Sequence, residues 1–305
     1  MITSFPLQSF RLAAFFLFIL IVVSCSRESF EARKPVYISL PQIELDTDGK
    51  GTTHHKITTA FVYINGVTQG SYELPVTFPV LFDEGENEIA IYSGINLNGV
   101  SYQRALYEAY TPLRYTYNYS DDGTDNVDTI TYFEDVDNRT ANITDYMHYE
   151  VLEDFDNSGT LFSATNRSDT NLVITDKPGE VFTLAGEDNG SAGKFIFGGK
   201  RTQVEAVTSL SYPIPTSTQN IYLEFTYKCN VPIQVGVISQ LSGSSSQEIT
   251  AVINPKDEWN KIYINLITEI DANRNADSYK FYFGGVNSEN LDTAKIFVDN
   301  IKLVY

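Results

Sequence analysis

Three histidines, His54, His55 and His148, are the only side chains in this chain that exchange a proton near neutral pH without a perturbed environment, and the first two are adjacent in the polar stretch GKGTTHHK. A serine or cysteine hydrolase would need one of them beside a nucleophile and a third, orienting group. No G-x-S-x-G string occurs, and the glycine-containing pieces at Gly51 and Gly243 read as loops. His54 and His55 are therefore expected in a solvated loop. Carboxylates are abundant, 39 in all, and a glycosidase needs only two across a cleft. Glu224 in IYLEFTY has the parity opposite Ile221, Leu223 and Phe225, and Glu205 lies in TQVEAVTSL. Polar residues on outward parity are what a half-buried strand requires, so no catalytic residue is assigned and no enzyme is expected. Rings offer binding chemistry instead, because the chain holds 20 Tyr and 19 Phe. Tyr222, Tyr263 and Tyr282 each occupy the parity opposite the main apolar set of their strands. On neighbouring strands they would line one face as a stacking platform for sugar rings, with Glu224 and Asn265 as hydrogen-bonding neighbours. The same face would equally serve packing against another sheet, another domain or a partner protein.

Strands must position these residues, because the whole chain reads as β. VYISL, TTAFVYINGV, SYELPVTFPVLF, NEIAIYSGI and ALYEAYTPLRYTYNY carry strand signals, broken by turns at Asn65-Gly66, Asp83-Glu84-Gly85 and Asn98-Gly99. In TAFVYINGV, Val62 and Ile64 share one face and Phe61 and Tyr63 the other, which suits a strand inside a sandwich. A first domain is expected over 35–134, ending with the strand VDTITYF, then a polar linker over 135–150 and a second domain over 151–305. The second region holds about ten strand signals, and only LITEIDANRNA invites a helical turn. Trp259, the sole tryptophan, opens a strand after a turn and reads as an anchor at the sandwich edge.

The apolar run from Leu12 to Val23 follows Arg11 and is shorter than the roughly 20 residues of a membrane-crossing helix. Its ending, Val22-Val23-Ser24-Cys25, resembles the bacterial lipobox, in which the cysteine is acylated and the chain is cut just before it. A signal peptide over 1–24, lipidation of Cys25 and a polar tether over 25–34 are expected. Each buried methylene of an acyl chain adds about 0.8 kcal/mol of membrane affinity. With Cys25 acylated, Cys229 stands alone, no intramolecular disulfide forms, and Cys229 is expected as a buried, inert thiol. A net charge of −18 argues against nucleic acid and against charge-driven adhesion to anionic lipid, both of which need basic patches.

The order VYINGV, Gly70, YELPVTFPV, Gly85 and NEIAIYSG, over Thr59 to Gly94, is similar to small PEGA-like and immunoglobulin-like modules of cell-envelope proteins. The pieces VLEDFDNSG, WNKIYINLI, SYKFYFGG and IFVDNIKLVY resemble the jelly-roll modules of extracellular carbohydrate-binding proteins and of many lipoproteins of the Bacteroidota. The fold class implied is all-β: an Ig-like or PEGA-like sandwich followed by a jelly-roll sandwich whose last strand returns beside the first. Such jelly rolls often clip those strands with calcium, an ion that takes several oxygen ligands, and Glu153, Asp154, Asp156 and Asp299 are the candidates. The whole pattern resembles a group of Bacteroidota outer-membrane lipoproteins without an assigned reaction. That resemblance implies a lipid-anchored, surface-facing protein, often beside a large outer-membrane barrel. The first functional reading is a non-enzymatic accessory or structural subunit of an envelope complex. The alternative is a surface glycan-binding lipoprotein that uses an aromatic face of the jelly roll.

Overall fold

Alternation of apolar and polar residues organises nearly every element of the chain from Pro35 onward. A computed structural model describes residues 34–121, 127–185, 187 and 190–305, and gathers Pro35–Tyr305 into one unit. The signal peptide, Cys25 and the tether up to 33 lie outside the described residues. No helix among the described residues is long and apolar enough to cross a membrane.

The protein is all-β, with two distinguishable sandwich regions. In the first, β1 (Val36–Leu40) sits between β5 (Val76–Val80) and β9 (Thr129–Ile130). The facing sheet runs β4 (Val67–Glu73), β3 (Thr59–Ile64), β6 (Gly85–Asn96), β7 (Arg104–Leu106), with β8 (Leu113–Tyr119) also on β6. Val36, Ile38 and Leu40 from β1 meet Val62, Ile64, Ile89 and Ile91 in one core. Phe61 and Tyr63 take the other face of β3 and are half-buried. Asn65 and Gly66 join β3 to β4 with φ of 51° and 77°, the left-handed pair that matches strand twist in a two-residue hairpin.

Two stretches depart from the expected elements. VDTITYF keeps only Thr129–Ile130 as strand and then turns into a 3₁₀ segment, Tyr132–Glu134, which carries Phe133 into the core and stacks Tyr132 on Tyr115 at 4.0 Å. The polar stretch expected as a linker over 135–150 is folded onto the first sandwich. Its β10 (Thr140–Asn142) pairs in parallel with β2 (Glu44–Asp46), Thr111 N donates to Asn142 O at 2.7 Å, and Ala141 is fully buried.

The second region has one sheet ordered β13 (Val173–Thr175), β14 (Ala192–Phe197), β21 (Ala294–Val304), β16 (Tyr222–Cys229), β19 (Lys256–Asn265). Strand β11 (Tyr149–Glu153) runs antiparallel beside the C-terminal half of β21, so the last strand does return beside the first. We call this the seam sheet, because its outward face meets the first sandwich. The other, the open sheet, runs β12 (Phe162–Ala164), β15 (Gln203–Thr208), β20 (Ser278–Val286), β17 (Ile233–Leu241), β18 (Ser244–Ile253). Leu223, Phe225, Ile262, Ile264, Val298 and Leu303 of the seam sheet pack on Val235, Val237, Phe281 and Phe283 of the open sheet. The expected helical turn is α1 (Ile267–Ala272), held by Ile270 in that core.

One irregularity decides which residues of β21 face where. Glu224 pairs with Lys302 and Thr226 with Asp299, so two β21 residues oppose Phe225, and Asn300 absorbs the extra one at φ 51°. Simple alternation puts Asp299 in phase with Ile301 and Leu303. The bulge breaks that phase, so Asp299, Lys302 and Val304 share the outward face while Ile301 and Leu303 enter the core.

A second close fit lies in the open sheet. A Cβ on Gly236 would stand 2.0 Å from Glu248 O and 2.7 Å from the Tyr282 ring. Gly236→Ala is expected to cost about 1–3 kcal/mol through overpacking, read as a lower urea midpoint with an unchanged m-value.

Candidate functional site

The outward face of the seam sheet carries Tyr222, Glu224 and Thr226 on β16, Lys261 and Tyr263 on β19, and Lys302 on β21, and the first sandwich covers them. Tyr107 lies fully buried over this face, its ring 5.0 Å from Tyr222 and 5.1 Å from Tyr263. Glu224 accepts the Tyr107 hydroxyl on one oxygen, and its other oxygen is 2.8 Å from Lys261 Nζ, with both side chains at 0% exposure. Neither Lys261 Nζ nor Glu224 Oε2 has a second partner. Lys302 Nζ donates to Thr52 O and to the Tyr149 hydroxyl, each at 2.8 Å. Burial pulls the Lys302 ammonium down to about 7, with the Lys261 charge adding to the effect and Glu224 opposing it. Burial first, and then the Glu224 charge, holds the Tyr107 hydroxyl well above the usual tyrosine range.

The segment 52–56 runs across this seam as a strap. Thr53 donates to Glu187 through both its backbone N and its hydroxyl at 2.6 Å, and Lys56 N donates to the Tyr263 hydroxyl at 2.9 Å. His54 Nδ1 is 3.0 Å from Thr226 Oγ1, and its ring stacks on Phe182 at 4.4 Å. Burial lowers His54 to about 4, so it is neutral at physiological pH, and burial likewise lowers His55. The solvated loop expected for this pair is thus a packed contact. The strap's small and β-branched residues, Gly51-Thr52-Thr53, let its backbone approach Lys302.

These contacts correct the tyrosine platform. Tyr222 and Tyr263 are covered by Tyr107 and belong to the first sandwich's core cluster. Tyr282 is 1% exposed and lies in the other sheet, donating to Glu248 O at 3.2 Å. Asn265 ties elements together: its backbone N donates to Asn98 Oδ1 at 2.8 Å, and its Oδ1 accepts Ile267 N at 2.9 Å. No ring of the three is open for stacking, because the apolar body of each tyrosine closes an internal surface. Trp259 packs against Phe297 and Phe182, as an edge anchor does. Cys229 is buried, and burial pushes its thiol up to about 11.

Glu153, Asp154, Asp156 and Asp299 do come near one another, since the first three charges all raise Asp299. Their oxygens are used differently. Glu153 accepts Phe155 N at 2.9 Å and Leu161 N at 2.5 Å, one on each oxygen, and Asp154 Oδ1 accepts Asp156 N at 3.2 Å. Asp299 Oδ1 accepts Asn300 N at 2.7 Å, while its Oδ2 is buried without a partner. Burial pushes Asp299 up to about 8, so its neutral form predominates at pH 7. Among the described residues no group of three or more His, Cys, Asp and Glu side chains is placed to hold a metal ion.

With the seam face covered, the outward face of the open sheet is the polar surface left to solvent. Glu205 on β15 organises it. Its Oε1 accepts Thr165 Oγ1 at 2.7 Å and Arg167 Nε at 3.2 Å, and its Oε2 accepts Arg167 Nη2 at 2.8 Å and Gln247 Nε2 at 2.9 Å. Arg167 also donates to Gln247 Oε1, and Gln203 Nε2 donates to Arg167 O at 2.6 Å. Beside this cluster is a shallow recess of about 80 Å³ lined by Arg167, Gln203, Glu205, Gln234, Gly284 and Val286. Gly284 keeps its floor low, since a Cβ there would stand 3.1 Å from Val204 O. Glu205 is singled out from the sequence; Gln203 and Gln234 carry only the signal of strand parity, and Arg167, in a turn, carries none.

No protein-family model and no curated protein matches the chain. Its sheets resemble carbohydrate-binding modules of the β-sandwich type. A family 11 module from Clostridium thermocellum, in complex with a β-1,3-1,4-mixed-linked tetrasaccharide, is 16% identical, with 51% of this chain and 94% of that one covered and a TM-score of 0.34. A family 61 module in complex with β-1,4-galactotriose is 12% identical, with 47% and 86% covered and a TM-score of 0.29. A structure reported for the promiscuous specificity of β-sandwich carbohydrate-binding modules is 12% identical, with 90% and 98% covered and a TM-score of 0.37.

Two outcomes are expected from the seam. Lys261→Met leaves Glu224 buried without its counter-charge and should cost about 3–5 kcal/mol, while Glu224→Leu with Lys261→Met should recover part of that loss in urea titration. For Asp299, the folded state holds a proton that the unfolded chain releases between pH 3.8 and about 8. That stability is full at low pH and lost as pH rises through the window. Lys302 and His54 have opposite slopes, so the quantity to measure is wild type minus Asp299→Asn across pH 4 to 8. The difference should decline steadily with pH.

Proposed function

We propose that this protein is a non-enzymatic glycan-binding protein whose binding surface is the open-sheet face around Arg167, Gln203, Glu205 and Gln234. The observation that carries the reading is the arrangement at Glu205. A carboxylate has about four acceptor positions, and Thr165, Arg167 and Gln247 occupy them, so Glu205 acts as a clamp that fixes a guanidinium and an amide at the rim of the recess. Planar polar groups held in place before a ligand arrives suit a polyhydroxylated ring, whose hydroxyls pair with them at little ordering cost. Glycine at the floor of the recess keeps these groups open to a ring approaching from solvent.

The sequence motif at Cys25 supports placing this surface on a lipid-anchored protein of the outer membrane, facing the cell exterior. On this reading an outer-membrane barrel is a partner that receives captured glycan, and the subunit role becomes secondary to capture.

The test is affinity electrophoresis of the full chain through gels containing soluble mixed-linkage glucan, galactan, mannan or xylan, followed by calorimetry with the retarding glycan. Retardation by at least one polysaccharide is expected, and Arg167→Ala with Gln234→Ala should weaken binding by about tenfold or more through lost hydrogen bonds. Absence of retardation by all four, or binding unchanged in the double variant, would overturn the reading.

A further inference from the structure

In a chain with 39 acidic and 21 basic side chains, one cavity is lined by the opposite balance. At the end of the seam sheet, where β16, β19 and β21 meet, a cavity of about 220 Å³ is lined by Lys228, Asn230, Lys256, Asp257, Lys295 and Phe297, together with Cys229. The strand pairing builds it. Lys228 lies opposite Phe297, Cys229 opposite Ile296 and Lys256, and Asn230 bonds across to Lys295 through both its backbone N and its side-chain Oδ1, at 3.1 Å and 2.6 Å. Three lysines from three adjacent strands are thereby held around one space by the sheet itself.

Among the described residues none of these three lysines forms an ion pair, whereas Lys194 and Lys261 pair with glutamates at 2.7 Å and 2.8 Å. Asp257 is the one carboxylate at the rim, and the Cys229 thiol stays protonated and adds no negative charge. The field extends beyond the cavity: Lys56 is lowered by its burial and then by the charge of Lys256. Three like charges facing a single carboxylate repel one another, and a bound anion relieves that repulsion while making charge-assisted hydrogen bonds. Phe297 gives the cavity an aromatic wall, and Asn230 adds a neutral polar edge.

We propose that this lysine-lined cavity binds an oxyanion, the sulfate, phosphate or carboxylate carried by an acidic saccharide unit. The cavity lies on the seam sheet and is separate from the open-sheet recess. Its saccharide part rests on the glycan-binding reading above; its anion part does not. A protein with both sites would take a neutral stretch of glycan on one sheet and an acidic substituent on the other, which distinguishes charged from uncharged polysaccharides.

The experiment is a titration of the isotope-labelled full chain with sodium sulfate, glucose and glucose 6-sulfate at constant ionic strength, followed by amide chemical shifts. Sulfate is expected to give saturable shifts at Asn230, Lys295 and Phe297 and none from glucose alone. Lys228→Gln with Lys256→Gln, both reaching solvent at the sheet end, should weaken sulfate binding by about tenfold or more. Shifts that do not saturate, or that are the same in the double variant, overturn the anion site. Saturable sulfate binding with glucose 6-sulfate no tighter than sulfate overturns the saccharide part alone. Arg167→Ala leaves these titrations unchanged if the two sites are separate, so failure of the open-sheet reading is told apart from failure of this one.

Discussion

A carboxylate and two ammonium groups taken out of water on one sheet face need partners that the sheet cannot supply by itself. Glu224 and Lys261 satisfy each other, but the Tyr107 hydroxyl, Thr52 O and the Tyr149 hydroxyl complete the set, and Tyr107 and Thr52 come from the first sandwich. Sliding the two sandwiches by the length of a hydrogen bond would strand a buried charge. An apolar seam would tolerate such a shift more readily, so the polar pairs act here as register marks for the docking of one sandwich on the other. The flanking tyrosines add apolar contact, and Tyr107 meets Tyr110 and Tyr222 edge to face, an arrangement that also disfavours sliding.

Function is displaced by this arrangement. A face rich in tyrosine and hydrogen-bonding groups would serve a sugar well if it were open, and in this protein it is consumed internally. The binding chemistry proposed above falls on surfaces the seam does not cover: the open sheet, where Glu205 holds Arg167 and Gln247, and the strand ends, where Lys228, Lys256 and Lys295 converge. The two differ in kind. The first is a neutralised network; the second is a recess in which three lysines face one aspartate.

Much of the architecture was readable from residue order. Alternation in TAFVYINGV placed Val62 and Ile64 inward, Asn65-Gly66 marked the hairpin, and the terminal strand was expected beside the one opening at Val151. What escaped reading were residues whose location contradicts their chemistry. A lysine in KIYINLI or IKLVY reads as the wet side of a strand, since nothing local announces that Glu224, a distant residue in sequence, will lie against it. The same holds for Tyr222 and Tyr263, whose outward parity was correct but whose outward face is covered. Asn300 misled in another way. One residue in a left-handed conformation shifts phase halfway along β21, and a period-two reading of VDNIKLV has no means of detecting the slip.

Strand β1 follows directly on Pro35 and is hydrogen-bonded on both sides, to β5 and to β9. Tension directed along β1, parallel to its length, would load both of its ladders at once. Its ladder bonds to both neighbours would then share the load in shear and would have to break together, whereas an edge strand pulled sideways would peel open one bond at a time. Pairing on both edges thus ties the first described strand into the sandwich along both of its sides.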